Sequence, residues 1–105
     1  MIKIRFITQG DTILGFDLKG HAGYGEHGQD IVCAAVSSAA YMAVNTLTEI
    51  LNLTPEISVS EGMMSVKLTS DQALRASDIM QGLKLHLTEL SEQYPNNITS
   101  LFTEV

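Results

Sequence analysis

The sequence predicts an α+β fold: a single two-layer domain over residues 1–105, with two helices on a mixed or mainly antiparallel sheet. Paired segments of alternating apolar and polar residues, separated by short glycine-containing turns, predict hairpins. Two longer segments have helical periodicity, and a chain of 105 residues is long enough for one hydrophobic core but not for two. The predicted order of elements is β-β-loop-α-β-β-α-β.

The first two strands form a predicted hairpin whose register depends on the length of the turn. A two-residue turn at Gly10 and Asp11 would place Ile4 opposite Asp17 and split the apolar faces. A three-residue loop that includes Gln9 instead places Ile4 opposite Phe16. We therefore expect the three-residue loop.

The most apolar predicted helix begins at Asp30 and ends near Leu53. Because its residues are apolar almost all round, we expect it to be buried on most sides. Asp30 is the expected N-cap residue, with its side chain accepting from the backbone N–H of Val32 or Cys33.

The second half of the chain repeats the pattern of a hairpin followed by a helix. A two-residue turn at Glu61–Gly62 pairs Val59 with Met64, both apolar. Thr69 and Gln72 have the spacing of a capping box at the start of the second helix. A short strand is predicted at the end of the chain.

Charge and composition exclude several classes of function. Six basic and twelve acidic residues give a formal net charge of −6, which argues against nucleic acid or an anionic membrane as the main partner. The N-terminal residues 1–4 do not resemble a signal peptide, and the longest apolar run, residues 31–44, falls short of a membrane span. With one cysteine and hence no internal disulfide, we expect a cytoplasmic protein.

Residues 19–40 contain the only cysteine, two of the three histidines and half of the eight glycines. Cys33 lies in the first turn of the predicted helix, where the helix dipole and unpaired N–H groups favour a thiolate. Since an ordinary thiol is mostly protonated at neutral pH, it needs a base, and His21 at the end of the second strand is the candidate. Backbone N–H groups at the helix start, including that of Cys33, are the expected oxyanion donors. The alternative is that Cys33 is an apolar packing residue.

The other polar residues of this stretch each have a structural alternative. His21 could be a loop residue without a role, and His27 is either an exposed loop residue or a substitute base. Asp30 could serve only as a helix cap. Ser37 shares a helix face with the cysteine and is either a small residue at a helix–sheet contact or a polar group beside the thiol. Tyr24 is either a gate or an exposed aromatic residue.

Two apparent motifs are rejected. Residues 23–28 match G-x-G-x-x-G, but Glu26 and Asp30 would repel a phosphate, and the acidic residue expected further on would fall within the helix. A zinc site is the second apparent motif, but the spacing of its possible ligands matches no compact zinc-binding pattern. These ligands would be His21, His27, Asp30 and Cys33. We therefore expect no metal and no cofactor.

Three consecutive parts of the sequence resemble the bacterial ribosomal-processing cysteine protease family, Prp. They are the motif Gly20-His21-Ala22, the glycine-rich loop with Tyr24 and Gly25, and residues 30–37 (DIVCAAVS). The resemblance covers nearly the whole chain in length and element order. It implies a cysteine endopeptidase that acts in ribosome assembly. Its substrate would be the twenty-seventh protein of the large ribosomal subunit, from which it removes a short N-terminal extension after a paired-aromatic motif.

The resemblance also implies roles for individual residues. His21 would be the base and Cys33 the nucleophile, supported by Asp30 and Ser37. The loop would admit the peptide through its gating residues Gly20, Gly23, Tyr24, Gly25 and Gly28. It further implies that the chain forms a homodimer and takes a ribosomal protein precursor as its peptide substrate. The rival hypothesis is a non-catalytic module that binds ribosomal proteins, with Cys33 as core packing.

Overall fold

The computed structural model describes residues 1–21 and 30–105. The strands are β1 (Ile2–Gln9), β2 (Thr12–Lys19), β3 (Glu56–Ser60), β4 (Met63–Lys67) and β5 (Ile98–Glu104). The helices are α1 (Ile31–Asn45), which continues into a π-helical turn (Thr46–Ile50), α2 (Ser70–Arg75) and α3 (Ser77–Gln93). The five strands form one sheet in the order β3-β4-β2-β1-β5, in which only the β1–β5 pair is parallel. The α+β class and mixed sheet are confirmed, while the second predicted helix is divided into α2 and α3 at Ala76.

The helices cover one face of the sheet and leave the other open. In β1, Ile2, Ile4 and Phe6 are buried while the alternating Lys3 and Arg5 are exposed. This is the period-two burial that the alternating sequence predicts.

The predicted register of the first hairpin is wrong. Gln9 pairs with Thr12, so the turn contains two residues, yet Ile4 pairs with Leu18 rather than with Asp17. The register shifts by one residue between Ile7 and Thr8 because Leu14 is an extra residue in β2, a β-bulge. The bulge returns the apolar residues of both strands to the covered face.

Helix α1 is less buried than its composition predicts. Val36 and Ala40 pack in the core, but Ile31 is 60% exposed and Met42 53% exposed on the other side of the helix. The expectation of burial on most sides is therefore wrong. The helical segment also ends at Ile50, three residues before the predicted end.

Among the described residues, one helical segment, Ile31–Ile50, is long and apolar enough to cross a membrane by length and composition. The predicted apolar run ends at Val44, and the helical segment continues beyond it to Ile50. Core helices of soluble proteins meet the same criterion, and Val32, Val36 and Leu47 of this helix are buried in the hydrophobic core.

The second hairpin and the next helix start agree with the prediction. Val59 pairs with Met64 across the Glu61–Gly62 turn. The capping box is formed, with the Gln72 N–H donating to the Thr69 hydroxyl at 3.3 Å and the Thr69 N–H donating to the Gln72 side chain at 2.9 Å. These contacts fix the direction in which α2 leaves the sheet.

Candidate active site

His21 lies two residues after the end of β2, beside the turn of the β3–β4 hairpin. Lys19 pairs with Met63, and the Gly20 N–H donates to the Gly62 carbonyl at 2.8 Å. Gly20 also packs closely against the N terminus, because a Cβ at this position would lie 2.5 Å from the Met1 carbonyl oxygen. The backbone leading into His21 is therefore fixed by two neighbouring segments.

Cys33 lies in the first turn of α1, which Asp30 caps as predicted. The Asp30 carboxylate accepts from the N–H groups of Val32 at 3.0 Å and Cys33 at 2.9 Å. Cys33 is half-buried and packs against the hydrophobic core. Its place at a capped helix N-terminus is the environment that the sequence predicts.

The end of β2, the start of α1 and the β3–β4 hairpin enclose a cavity of about 210 Å³. His21, Cys33 and Ser37 all contribute to its lining. With Gly20, which also lines the cavity, the structure brings together four of the predicted site residues around one space. This space is smaller than the roughly 300–1,000 Å³ of a typical small-molecule site.

One face of α1 supplies a continuous side of this cavity. Cys33, Ser37 and Tyr41 all line it and follow one another at intervals of four residues. Such spacing places side chains on the same helix face. Tyr41, which is 46% exposed, was missed at the level of sequence although the same spacing could have identified it.

The β3–β4 hairpin forms a second side that the sequence analysis did not predict. Val59, Glu61, Gly62 and Met63 line the cavity opposite the α1 residues. The hairpin itself is predictable, but its position beside His21 follows from the pairing of β2 with β4. That pairing joins segments roughly 50 residues apart and has no local sequence signal.

The N–H groups at the start of α1 are engaged within the protein. Those of Val32 and Cys33 donate to the Asp30 carboxylate, and that of Ala34 donates to the Asp30 carbonyl at 3.0 Å. The Cys33 N–H could therefore hold an oxyanion only after exchanging its bond to Asp30. This modifies the expectation that the Cys33 N–H is one of the oxyanion donors.

Four of the predicted gating residues lie outside the described residues, namely Gly23, Tyr24, Gly25 and Gly28. The substitute base His27 lies outside them as well. Gly20 is described and lines the cavity. Its backbone N–H donates to the Gly62 carbonyl, and its role in a gate stays a prediction.

Within residues 1–21 and 30–105, no group of three or more His, Cys, Asp or Glu side chains is placed to hold a metal ion. The residues that line the cavity include an imidazole from His21, a thiol from Cys33 and a hydroxyl group from Ser37. An imidazole and a thiol are the base and the nucleophile that thiol-dependent acyl transfer requires.

Comparison with known proteins assigns the family. The family model described as cysteine protease Prp matches residues 1–99. The chain belongs to the Prp family of cysteine proteases. A relative from Bacillus subtilis (strain 168), named ribosomal processing cysteine protease Prp, is 28% identical over 92 residues, which are 82% of each chain.

Solved structures agree with this assignment to the Prp family. The structure of SMU.848 from Streptococcus mutans superposes with a TM-score of 0.87 and 32% identity, covering 100% of this chain and 96% of that one. The Prp protease of Staphylococcus aureus, solved with a covalently linked product peptide, gives a TM-score of 0.85 and 28% identity, covering 98% and 100%. The five-stranded sheet with its helices is thus the fold of Prp proteases.

Proposed function

We propose that this chain is a cysteine endopeptidase that removes the short N-terminal extension of the twenty-seventh protein of the large ribosomal subunit. Cleavage follows a paired-aromatic motif, and the product is needed for ribosome assembly. The observation that supports a protease most directly is the shared cavity lined by His21 and Cys33. Further support comes from the relatives, which are named ribosomal processing cysteine proteases.

In this mechanism, His21 removes the proton from the Cys33 thiol. The thiolate then attacks the carbonyl carbon after the aromatic pair and forms a tetrahedral intermediate. His21 returns the proton to the leaving amine, the peptide bond breaks, and an acyl-enzyme remains on the sulfur. Water attacks this thioester, with His21 as base, and releases the new carboxyl end and the thiol.

The supporting residues act through the start of α1. Asp30 holds the first helical turn, and with it Cys33, through the hydrogen bonds of the cap. Its negative charge would oppose thiolate formation at short range, so its role is to cap the helix, and to anchor the loop or orient His21, rather than to contact the thiol. Ser37, one turn beyond Cys33, supplies a hydroxyl group to the same cavity.

The competing function is a non-catalytic module that binds ribosomal proteins. The observation that favours it is the partial burial of Cys33 against the core, which is typical of a packing cysteine. Under this hypothesis the cavity binds a peptide and leaves it intact.

Cleavage of a synthetic extension peptide, followed by mass spectrometry, separates the two functions. The wild type should cut after the aromatic pair, Cys33→Ala should show no cleavage, and His21→Ala should be about 10²–10⁴-fold slower. His86→Ala is the matched control, because His86 is exposed on α3 and lies outside the cavity. Cleavage by Cys33→Ala at the wild-type rate would refute the proposal, and binding without cleavage by the wild type would establish the competing function.

The proposal includes a homodimer in the cytoplasm, as the family resemblance implies. Sedimentation equilibrium would give twice the chain mass of 11.4 kDa for a dimer. A single species of one chain mass at micromolar concentration would contradict this part of the proposal without affecting the cleavage chemistry.

A further inference from the structure

We propose that Gly62, in the turn of the β3–β4 hairpin, is a positioning residue for the His21 imidazole. The turn supplies a backbone surface without a side chain, against which the ring lies. This inference rests on the proposed function, in which His21 is the base. It adds a residue that is distant in sequence from the Gly20–Ser37 motif.

The geometry that supports the proposal is the distance between the ring and position 62. A Cβ built on Gly62 would lie 3.3 Å from Nε2 of His21, 3.8 Å from Cε1 and 3.9 Å from Cδ2. The contact of 3.3 Å is tighter than ordinary van der Waals contact, so a methyl group would require the ring to move by a few tenths of an ångström. The atom nearest to the added carbon is a ring nitrogen that exchanges protons.

The turn and the histidine are also coupled through the backbone. The Gly62 carbonyl accepts from the Gly20 N–H at 2.8 Å, and Lys19 pairs with Met63 next to it. The backbone that leads into His21 is therefore held by the same hairpin whose turn lies beside the imidazole. The hairpin turn and His21 therefore lie side by side at the edge of the cavity.

A second explanation for a glycine at position 62 is its backbone conformation alone. Gly62 has φ +70°, which non-glycine residues rarely adopt. Gly10, in the two-residue turn between β1 and β2, has a similar φ of +60° but no heavy atom within 4 Å of its added Cβ. Gly10→Ala thus introduces a similar backbone strain without any contact with His21, and is the matched control.

The experiment compares Gly62→Ala with Gly10→Ala in the peptide cleavage assay. Both variants should lower Tm, but only Gly62→Ala should lower kcat, by about threefold to tenfold with KM within twofold, because the ring is displaced by less than 1 Å. Equal kcat values for the two variants would overturn the proposal, since backbone strain would then account for the glycine.

A thermodynamic cycle tests the contact independently of catalysis. If the added methyl group meets the imidazole, Gly62→Ala should lower Tm less in a His21→Ala background than in the wild type. Gly10→Ala should lower Tm equally in both backgrounds. Equal effects of Gly62→Ala in both backgrounds would overturn the proposal, whereas a wild type that does not cleave the peptide would refute only the proposed function.

Discussion

The carboxylate of Asp30 accepts the backbone N–H of Cys33 at 2.9 Å. The hydrogen bond places an acidic residue and the candidate nucleophile in one helical turn while directing the carboxylate at the backbone. Asp30 therefore fixes the position of Cys33 through the peptide chain. Its effects on stability and on chemistry can be separated by substitution.

Asp30→Ala removes the N-cap and should lower the free energy of unfolding by about 1 kcal/mol. For a domain of this size the loss corresponds to a decrease in Tm of roughly 4–8 °C. Asp30→Asn keeps an oxygen that can accept from Val32 and Cys33, and should remain within a few tenths of a kcal/mol of the wild type. Urea unfolding of the three proteins measures this, and an equal loss in both variants would show that the charge, rather than the cap, stabilises the helix.

Ser37→Ala and Ser38→Ala form a matched pair on α1. Ser37 lines the cavity with Cys33, whereas Ser38 is exposed outside it. Because alanine is the better helix former, neither change should lower Tm appreciably. We expect Ser37→Ala to reduce kcat/KM for the extension peptide by roughly threefold to tenfold, the effect of about one hydrogen bond, and Ser38→Ala to leave it unchanged. Identical kcat/KM values for the two variants would show that the Ser37 hydroxyl has no role in cleavage.

The pKa of Glu104 is lowered by the Gly10 N–H, which donates to it at 2.8 Å, and by the Thr8 hydroxyl at 2.9 Å. A carboxylate whose pKa is lower in the folded state stabilises the fold above its ordinary value of about 4.3. That stabilisation is lost as the pH falls through the lowered pKa.

We therefore expect Glu104→Gln to be less stable than the wild type at pH 7, with the difference shrinking as the pH is lowered below about 4.3. Urea unfolding across this range measures the difference, and Glu89→Gln, at an exposed position of α3, controls for the change in net charge. A difference that stays constant with pH would contradict the assignment.

Electrostatic attraction should assist the capture of a basic ribosomal protein by a chain with net charge −6. Raising the ionic strength shortens the Debye length from about 10 Å at 0.1 M to about 3 Å at 1 M. KM for the full-length precursor should then rise several-fold, while KM for a short uncharged extension peptide should change less. The same salt dependence for both substrates would exclude a contribution from the overall charge.

The sequence was sufficient for the elements whose signals are local. Asp30 caps α1, Thr69 and Gln72 form a capping box, and Val59 pairs with Met64, because each depends on residues only a few positions apart. The predicted register of the first hairpin was wrong because the bulge at Leu14 is not marked by a distinctive residue type. A register argument that assumes uninterrupted pairing cannot detect it.

The candidate site was predictable on one side only. His21, Cys33 and Ser37 belong to one continuous stretch, and their types and spacing indicate the chemistry. Gly62 reaches the same cavity through the pairing of β2 with β4, which brings distant segments together. Sheet order of this kind is determined by packing in the whole domain rather than by any local pattern.

The central claim is that Cys33 is a nucleophile activated by His21. Its most direct test uses a peptide chloromethyl ketone that ends at the aromatic pair. Displacement of chloride by the thiolate would leave the peptide on the sulfur, and intact mass followed by peptide mapping locates it. We predict a single adduct on Cys33, formed about 10²–10⁴-fold more slowly in His21→Ala. An adduct that forms at the same rate in both proteins, or none on Cys33 in the wild type, would contradict the account.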